Sequence, residues 1–537
     1  METIIAHKDF FQRETVTGTN IEHKIVDKLY KLFKETMDHV EKIPVPVDSW
    51  QQEECMITIG DYEIKCYAMP YTLSGEVDAR LVYAEYLGDK IILEENPSDS
   101  IVLIPFPPDL DDSKYIVLKL YEQGANAVIF YDRLPGRYRK TVIIGDEDYS
   151  HTHGSPSPVP VASIRKEDYL KIMKTRNARA YLRMKTSIKH GATGYNVVGI
   201  INGKGEKEIH ITAHHDHWFA GFSDNLLGVE TLLQVAKYFR KKWKGCNLVF
   251  ISFTAEESGA PYFTSWYWTW GSRYYLKLLE ETGKIENILA DVNIDTIYRE
   301  PFTVNYNPSL RRCIEKLSRK YKLRIQGYDH TDFDSFSYTM HGVPALTINN
   351  LKEITHIYHT DLDDGREVPE TTIRSVLELV IDTITCINNN PPTHKSYVEY
   401  LKQKFEKYTN AELRALIGKI ENLETIIHDE QSRIRITTVL LTNVVYIPGL
   451  DGVFLSDACA DIEFIHNLLT NVEKYIGKRL RVKIVDREQF LDISPTQHNI
   501  EELKIALRNA LLQRIQYHNK RINQFISEIL IKQTLKK

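Results

Sequence analysis

Two hydrophobic patterns divide the chain. Up to about residue 388, short apolar runs alternate with amphipathic stripes of helical period, the signature of a mostly parallel sheet with helices on its faces. Glu208–Ala213 (EIHITA), Asn247–Thr254 (NLVFISFT), Ile288–Ile294 (ILADVNI) and Val343–Ile348 (VPALTI) read as its strands. A helix beginning near Asn225 carries Leu226, Val229, Leu233, Ala236 and Phe239 on one face. Ser74–Lys189 reads as a small α/β unit of its own, with strands in ARLVYAEYL, SIVLIPF, NAVIFYD and VPVASI and a helix in DSKYIVLKLYEQ. The turn-rich stretch NNNPPT, Asn388–Thr393, ends an apolar helical run (Val376–Ile387), and the pattern beyond is mostly helical. Leu413, Leu416, Ile417, Ile420, Leu423 and Ile427 form one stripe there; Leu503, Leu507, Leu511, Ile515, Ile522, Phe525 and Ile529 form another. Both read as core or subunit interface.

Composition refines this picture. The 537 residues allow about three domains. With 68 basic against 73 acidic residues, no surplus of positive charge points to nucleic acid or an anionic membrane as partner. The six cysteines stand singly, without a Cys-x-x-Cys pair, and read as buried free thiols. The opening residues METIIAHKDFFQRE carry charge in every turn and no later run is long and apolar enough for a membrane span, so the expectation is a soluble cytoplasmic protein.

Chemistry gathers after the strands. EIHITA runs into His214-His215-Asp216-His217, with Asp224 at the mouth of the next helix. NLVFISFT delivers Glu256 and Glu257, ILADVNI ends in Asp295, and VPALTI is followed by Tyr358 and His359. Each signal has a bland alternative: a surface loop, acids favoured at a helix N-terminus, or a capping aspartate. Imidazole and carboxylate at successive strand ends are nonetheless what a hydrolytic site with two divalent ions requires. Spacing alone leaves open which adjacent glutamate ligates and which holds water. His151 and His153, in a polar loop with no carboxylate cluster, read as surface residues.

The series His214-His215-Asp216, Asp224, Ala255-Glu256-Glu257, Asn293-Ile294-Asp295 and Tyr358-His359-Thr360 resembles the co-catalytic zinc exopeptidases, which include bacterial secreted aminopeptidases, glutamate carboxypeptidase II and the transferrin receptor. YTLSGEVDARLVYAEY and GANAVIFYD resemble the protease-associated domain inserted in the larger members, and YNVVGIING the return from it. The resemblance implies a discontinuous zinc peptidase domain (1–74 and 190–388), a protease-associated insertion (75–189) and a helical C-terminal domain (394–537) placed where relatives dimerise. It implies that His214 and Asp295 bind one zinc, that Glu257 and His359 bind the other, and that Asp224 bridges them. Glu256 would be the general base, Asp216 would orient the His214 ring, and Tyr358 would stabilise the oxyanion. Cobalt or manganese can occupy such sites.

The expected activity is an aminopeptidase cleaving short peptides. The alternatives are a catalytically silent binding protein like the transferrin receptor, which would have lost ligands, and a single-zinc glutaminyl cyclase, which would lack the insertion and the tail. After Glu257 the aromatic segment with Tyr262, Phe263, Trp266, Tyr267, Trp268 and Trp270 is longer than in the better-known members and reads as a pocket wall or a packed helix start. Apart from Arg299, no basic cluster stands ready for a terminal glutamate. His215, His217, His330 and His356 match no family ligand and read as supporting or surface residues; Asp332 resembles a segment lining the family's site.

Overall fold

A computed structural model describes residues 8–87, 90–145, 154–175, 179–264, 266–407, 410–444, 455–477, 480–483 and 490–535. His151 and His153 lie outside them. The four expected strands form, as Glu208–His214, Asn247–Phe253, Ile288–Ile294 and Ala345–Asn349. They lie side by side in one parallel block in the order 345–349, 288–294, 208–214, 247–253. Such strands are covered on both faces, which is why they read as continuous apolar runs rather than as alternating ones. The helices Leu227–Phe239 and Glu370–Asn389 share one hydrophobic core with them.

Two very long strands carry the sheet past this block. His39–Ile59 and Arg179–Ile201 pair antiparallel along almost their whole length, from His39 opposite Ile200 to Ile59 opposite Ala180. One end of Arg179–Ile201 pairs with Asn247–Phe253 and the other with Gly75–Leu87, from which the sheet continues through Ser100–Pro105, Ala127–Tyr131 and Val161–Ile164. The small α/β unit is therefore joined to the main sheet by continuous strands, and position 189–190, the expected boundary, lies inside one of them.

Beyond Asn389 the two apolar stripes meet each other. Leu413, Leu416, Ile417 and Ile420, on the helix Ala411–Glu421, share a buried core with Leu507, Leu511, Ile515 and Ile522 of the long helix Ile500–Leu535. The described stripe residues are thus satisfied within the chain; the side chains of Phe525 and Ile529 lie outside the described residues. No described helix is long and apolar enough to cross a membrane.

The cysteines correct the sequence reading. Cys55 pairs with Cys66, and Cys313 with Cys386, with Cα–Cα separations of 5.3 and 5.7 Å, inside the disulfide range. Cys55 and Cys66 come together because the hairpin of His39–Ile59 with Tyr62–Lys65, in which Met56 faces Lys65, sets them opposite one another. Cys246 is a buried free thiol as expected.

Candidate metal centre

Every expected ligand lies at the same end of the parallel block. His214 closes its strand, Glu256 and Glu257 follow Phe253, and Asp295 follows Ile294. Asp224 sits in an irregular turn, Phe222–Leu226, ahead of the helix that begins at Leu227; its peptide bond to Asn225 is cis. Asn225 donates to the Ile294 carbonyl at 2.8 Å. Gly228 must be glycine for this approach, since a Cβ there would lie 2.3 Å from Asn225 Oδ1 and 2.8 Å from the Ile294 carbonyl. Ala255, Thr296 and His359 have φ of 54°, 49° and 56°. Left-handed backbone at residues other than glycine is uncommon and concentrates at functional sites.

Two groups of ligand atoms result, each within 4.8 Å: His214, Glu256 and Asp295 in one, Asp224, Glu257 and His359 in the other. Asp224 spans them. Its Oδ1 lies 3.3 Å from His214 Nε2 and its Oδ2 3.5 Å from His359 Nε2. His214 Nε2 is also 3.5 Å from Asp295 and 3.7 Å from Glu256, while His359 Nε2 is 2.9 Å from Glu257. Glu256, assigned by resemblance to proton transfer, thus stands beside the first group as closely as a ligand would.

Burial and charge show that this donor set fits divalent cations. Burial pushes Glu257 up to about 7, and burial together with Asp295, Asp334 and Glu257 holds Glu256 well above the usual carboxylate range. His214 is shifted up: burial lowers it, but Glu256, Asp295 and Asp224 outweigh that. Four crowded carboxylates are costly to ionise together without added positive charge. Among the described residues, His214 Nε2 and Glu257 Oε1 are buried without a hydrogen-bond partner. Such orphaned acceptors are what a metal ion satisfies.

Support beneath the ligands differs from the expectation in one respect. His214 Nδ1 bonds to the backbone carbonyl of Asp216 at 3.0 Å, and the Asp216 carboxylate is farther, at 3.9 Å. That carboxylate instead accepts the N–H groups of Glu256 (3.1 Å) and Glu257 (3.0 Å) and the Thr17 hydroxyl (3.2 Å). Asp216 therefore fixes the glutamate turn as well as the imidazole. His215 bonds to Ser252, His217 to the Phe11 carbonyl and His356 to Glu367, and His330 lies 3.0 Å from the Asp332 carboxylate; none joins a ligand group.

A cleft of about 570 Å³ opens on one side of this cluster, a size suited to a small ligand. Glu256, Glu257, Tyr358 and His359 form its floor, and Tyr267, Trp268 and Asp332 one wall. Trp266 does not reach it: buried, it packs against Phe336 and under the Arg273 guanidinium, 3.9 Å from the ring centre. The aromatic segment is thus wall at Tyr267 and Trp268 and core at Trp266. Arg299 also points elsewhere, onto Tyr298. Phe106, Leu110, Arg133, Leu134 and Arg139, from the small α/β unit, also line it. Sequence reasoning missed these residues, since they lie far from every motif and only the fold brings them there.

Comparison with known proteins agrees with this architecture. Residues 196–384 match the family described as Peptidase family M28. That segment contains His214, Asp224, Glu256, Glu257, Asp295 and His359. Aminopeptidase YwaD of Bacillus subtilis (strain 168) is 26% identical over 179 residues, 32% of this chain and 34% of the relative, so the match spans about a third of that protein's length. Among solved structures, the Peptidase M28 precursor of Shewanella amazonensis SB2B superimposes with a TM-score of 0.59 at 17% identity, covering 72% of this chain and 92% of its own. A zinc aminopeptidase from Bacillus subtilis gives 0.54 at 18% identity, covering 69% and 90%. These two share the fold.

Proposed function

We propose that the chain is a zinc-dependent aminopeptidase with two metal ions, releasing residues from the free amino terminus of short peptides. The observation that carries this reading is the paired ligand groups joined by Asp224 at the floor of a cleft. His214, Asp224 and Asp295 would hold one ion and Asp224, Glu257 and His359 the other; imidazole and carboxylate donors suit zinc, and also cobalt or manganese. Ions bound there supply Lewis acidity toward the scissile carbonyl and ease the ionisation of water.

The remaining work falls to side chains. Glu256 lies beside the first group yet lines the cleft, which His214, Asp224 and Asp295 do not. It can therefore meet both water and substrate, taking a proton from the attacking water and passing it to the leaving amine. The Tyr358 phenol, also facing the cleft, stays protonated because burial and the nearby carboxylates raise it well above its ordinary value. It donates a hydrogen bond to the oxygen that gains charge. The acidic floor favours a protonated substrate amine. With the inserted unit as one wall, the cleft admits an extended peptide end and excludes folded proteins.

The silent-receptor reading would require missing ligands, and every candidate is present. One further expectation stands as a proposal: the helical tail is a candidate dimer surface by its position, to be checked by sedimentation. The expected cytoplasmic location gives way to a different proposal, since paired cysteines favour an oxidising compartment; the mass of alkylated, unreduced protein checks the pairing. The test of the activity is a panel of aminoacyl and N-blocked dipeptide substrates with and without chelator. Chelator-sensitive cleavage of free-amine substrates alone is expected; cleavage of N-blocked substrates alone would reverse the direction of attack.

A further inference from the structure

The two imidazoles of the centre are held by different means. His214 has a fixed Nδ1 partner, whereas Nδ1 of His359 has no hydrogen-bond partner among the described residues; its Nε2 faces Glu257 at 2.9 Å. A metal-ligating histidine almost always has its second nitrogen anchored. His359 further sits at φ 56° in an irregular loop, its ring stacked on Tyr358 at 3.7 Å. The turn closes on itself through the Tyr358 N–H to the Ile354 carbonyl (2.7 Å) and the Thr360 N–H to the Ile357 carbonyl (3.0 Å), while the carbonyls of Thr355, His356, Tyr358 and His359 are met from another segment.

The fastening comes from the inserted unit. Arg139 forms an antiparallel bridge with Thr360, and Lys140 N–H donates to the His359 carbonyl at 3.0 Å. The Arg139 side chain is buried and anchored by Nε to Asp132 at 2.7 Å. Its Nη1 donates to the Tyr358 carbonyl, and its Nη2 to the carbonyls of Thr355 (3.2 Å) and His356 (3.4 Å). One rigid guanidinium thus gathers three carbonyls of the turn that delivers Tyr358 and His359. A lysine ammonium, a single point of charge, cannot reproduce that fork.

We propose that Arg139 is a positioning residue for the ion held by Asp224, Glu257 and His359, so that the inserted unit completes the metal centre besides walling the cleft. This rests on the two-ion reading above. The first ion depends less on this turn, because two of its three holders, His214 and Asp295, stand at strand ends of the parallel block.

The test is zinc titration of metal-free protein against a competing chelator, with ions counted by atomic emission, for wild type, Arg139→Lys, Arg139→Met and Asp132→Asn. The last leaves the arginine present but unfastened. Folding is verified by circular dichroism. The expected result is an unchanged first ion and a second ion weakened by about 10- to 100-fold, the range for supporting residues of metal sites. Arg139→Met should show the largest loss, and kcat should fall more than KM rises. If Arg139→Met does not fold, the other two variants decide. Wild-type affinity for the second ion in the folded variants overturns the proposal. So does equal weakening of both ions, or failure of all three variants to fold, since each would make Arg139 a general structural residue. A wild type that binds two ions but cleaves no peptide would overturn the proposed function and leave this inference standing.

Discussion

The two halves of the centre sit side by side but are built differently. His214 and Asp295, at the ends of neighbouring parallel strands, rest on a buried polar floor: the Thr212 hydroxyl donates to Asp291, and Asn293 donates to Thr347. Asp224 and His359 come from irregular segments, the first held by Asp363, which accepts the N–H groups of Ser223 and Asp224, the second by Arg139 from the inserted unit. The block supplies one half as a by-product of its topology. The other half exists only where distant segments converge, and is the half that sequence change can loosen without damaging the fold.

The largest expected effect concerns Glu256, which stands with the first group and lines the cleft, and which the proposed function makes a base rather than a ligand. Glu256→Gln is isosteric and should leave two ions bound while turnover falls by about 10²- to 10⁴-fold, the usual contribution of a general base. Steady-state kinetics with metal analysis checks this. A variant that loses an ion would make Glu256 a ligand and merge it into the first half.

Next come substitutions that separate the halves. Asp295→Ala should remove the first ion and spare most of the second; His359→Ala should do the reverse. Asp224→Ala should weaken both, since each of its oxygens faces a different histidine. Losses should exceed the about 10- to 100-fold typical of supporting residues. If Asp224→Ala affects one ion only, the bridge is wrong and the halves are independent sites.

The contrast also explains what could be read in advance. Ligands that directly follow an apolar strand are legible, because a continuous run of buried residues both forms the strand and fixes where it ends. That is why the four strands and the residues after them were identifiable, and why Asp224 could be placed at a helix mouth. Arg139 was not legible: more than two hundred positions separate it from Tyr358, and nothing in DRLPGRYRK marks one arginine as buried. The carboxylate of Asp216 was expected to serve the imidazole and serves two backbone N–H groups instead, while the Asp216 carbonyl holds the ring, a contact no side-chain spacing encodes. The Cys55–Cys66 pairing had a local signal, the Gly60-Asp61 turn between strands, that a count of isolated cysteines passes over.

The aromatic segment divides in the same way. Trp266→Ala removes a buried indole and should cost about 3 to 5 kcal/mol in stability, measured by denaturant unfolding, with the substrate profile unchanged. Trp268 lines the cleft, and its indole N–H donates to the Thr331 carbonyl at 2.9 Å. Trp268→Ala should shift KM across a panel of side chains with a smaller stability loss. A shifted profile in Trp266→Ala, or none in Trp268→Ala, would reverse the assignment of wall and core.

The smallest effect probes the floor of the strand-end half. Asp329 is buried, accepts from Ser335 (2.7 Å) and Thr339 (2.8 Å), and is joined through Ser335 to Thr347, the partner of Asn293. Burial pushes its carboxyl up to about 6, against the lowering influence of those hydrogen bonds. A carboxyl raised in the folded state binds its proton more tightly there than in the unfolded chain. Its contribution is therefore complete below about pH 4, the unfolded value, and is lost as pH rises through about 6. A shift of about two units corresponds to roughly 1 to 3 kcal/mol. Asp329→Asn, which cannot ionise, should flatten the stability profile between pH 4 and 6 in urea unfolding of metal-free protein. It should leave the ratio of affinities for the two ions almost unchanged, because it alters the height of the floor's stability and not the geometry of either half. A preferential loss of the first ion would show that the strand ends depend on this network as strongly as His359 depends on its clamp, and the contrast between the halves would narrow to one of distance in sequence.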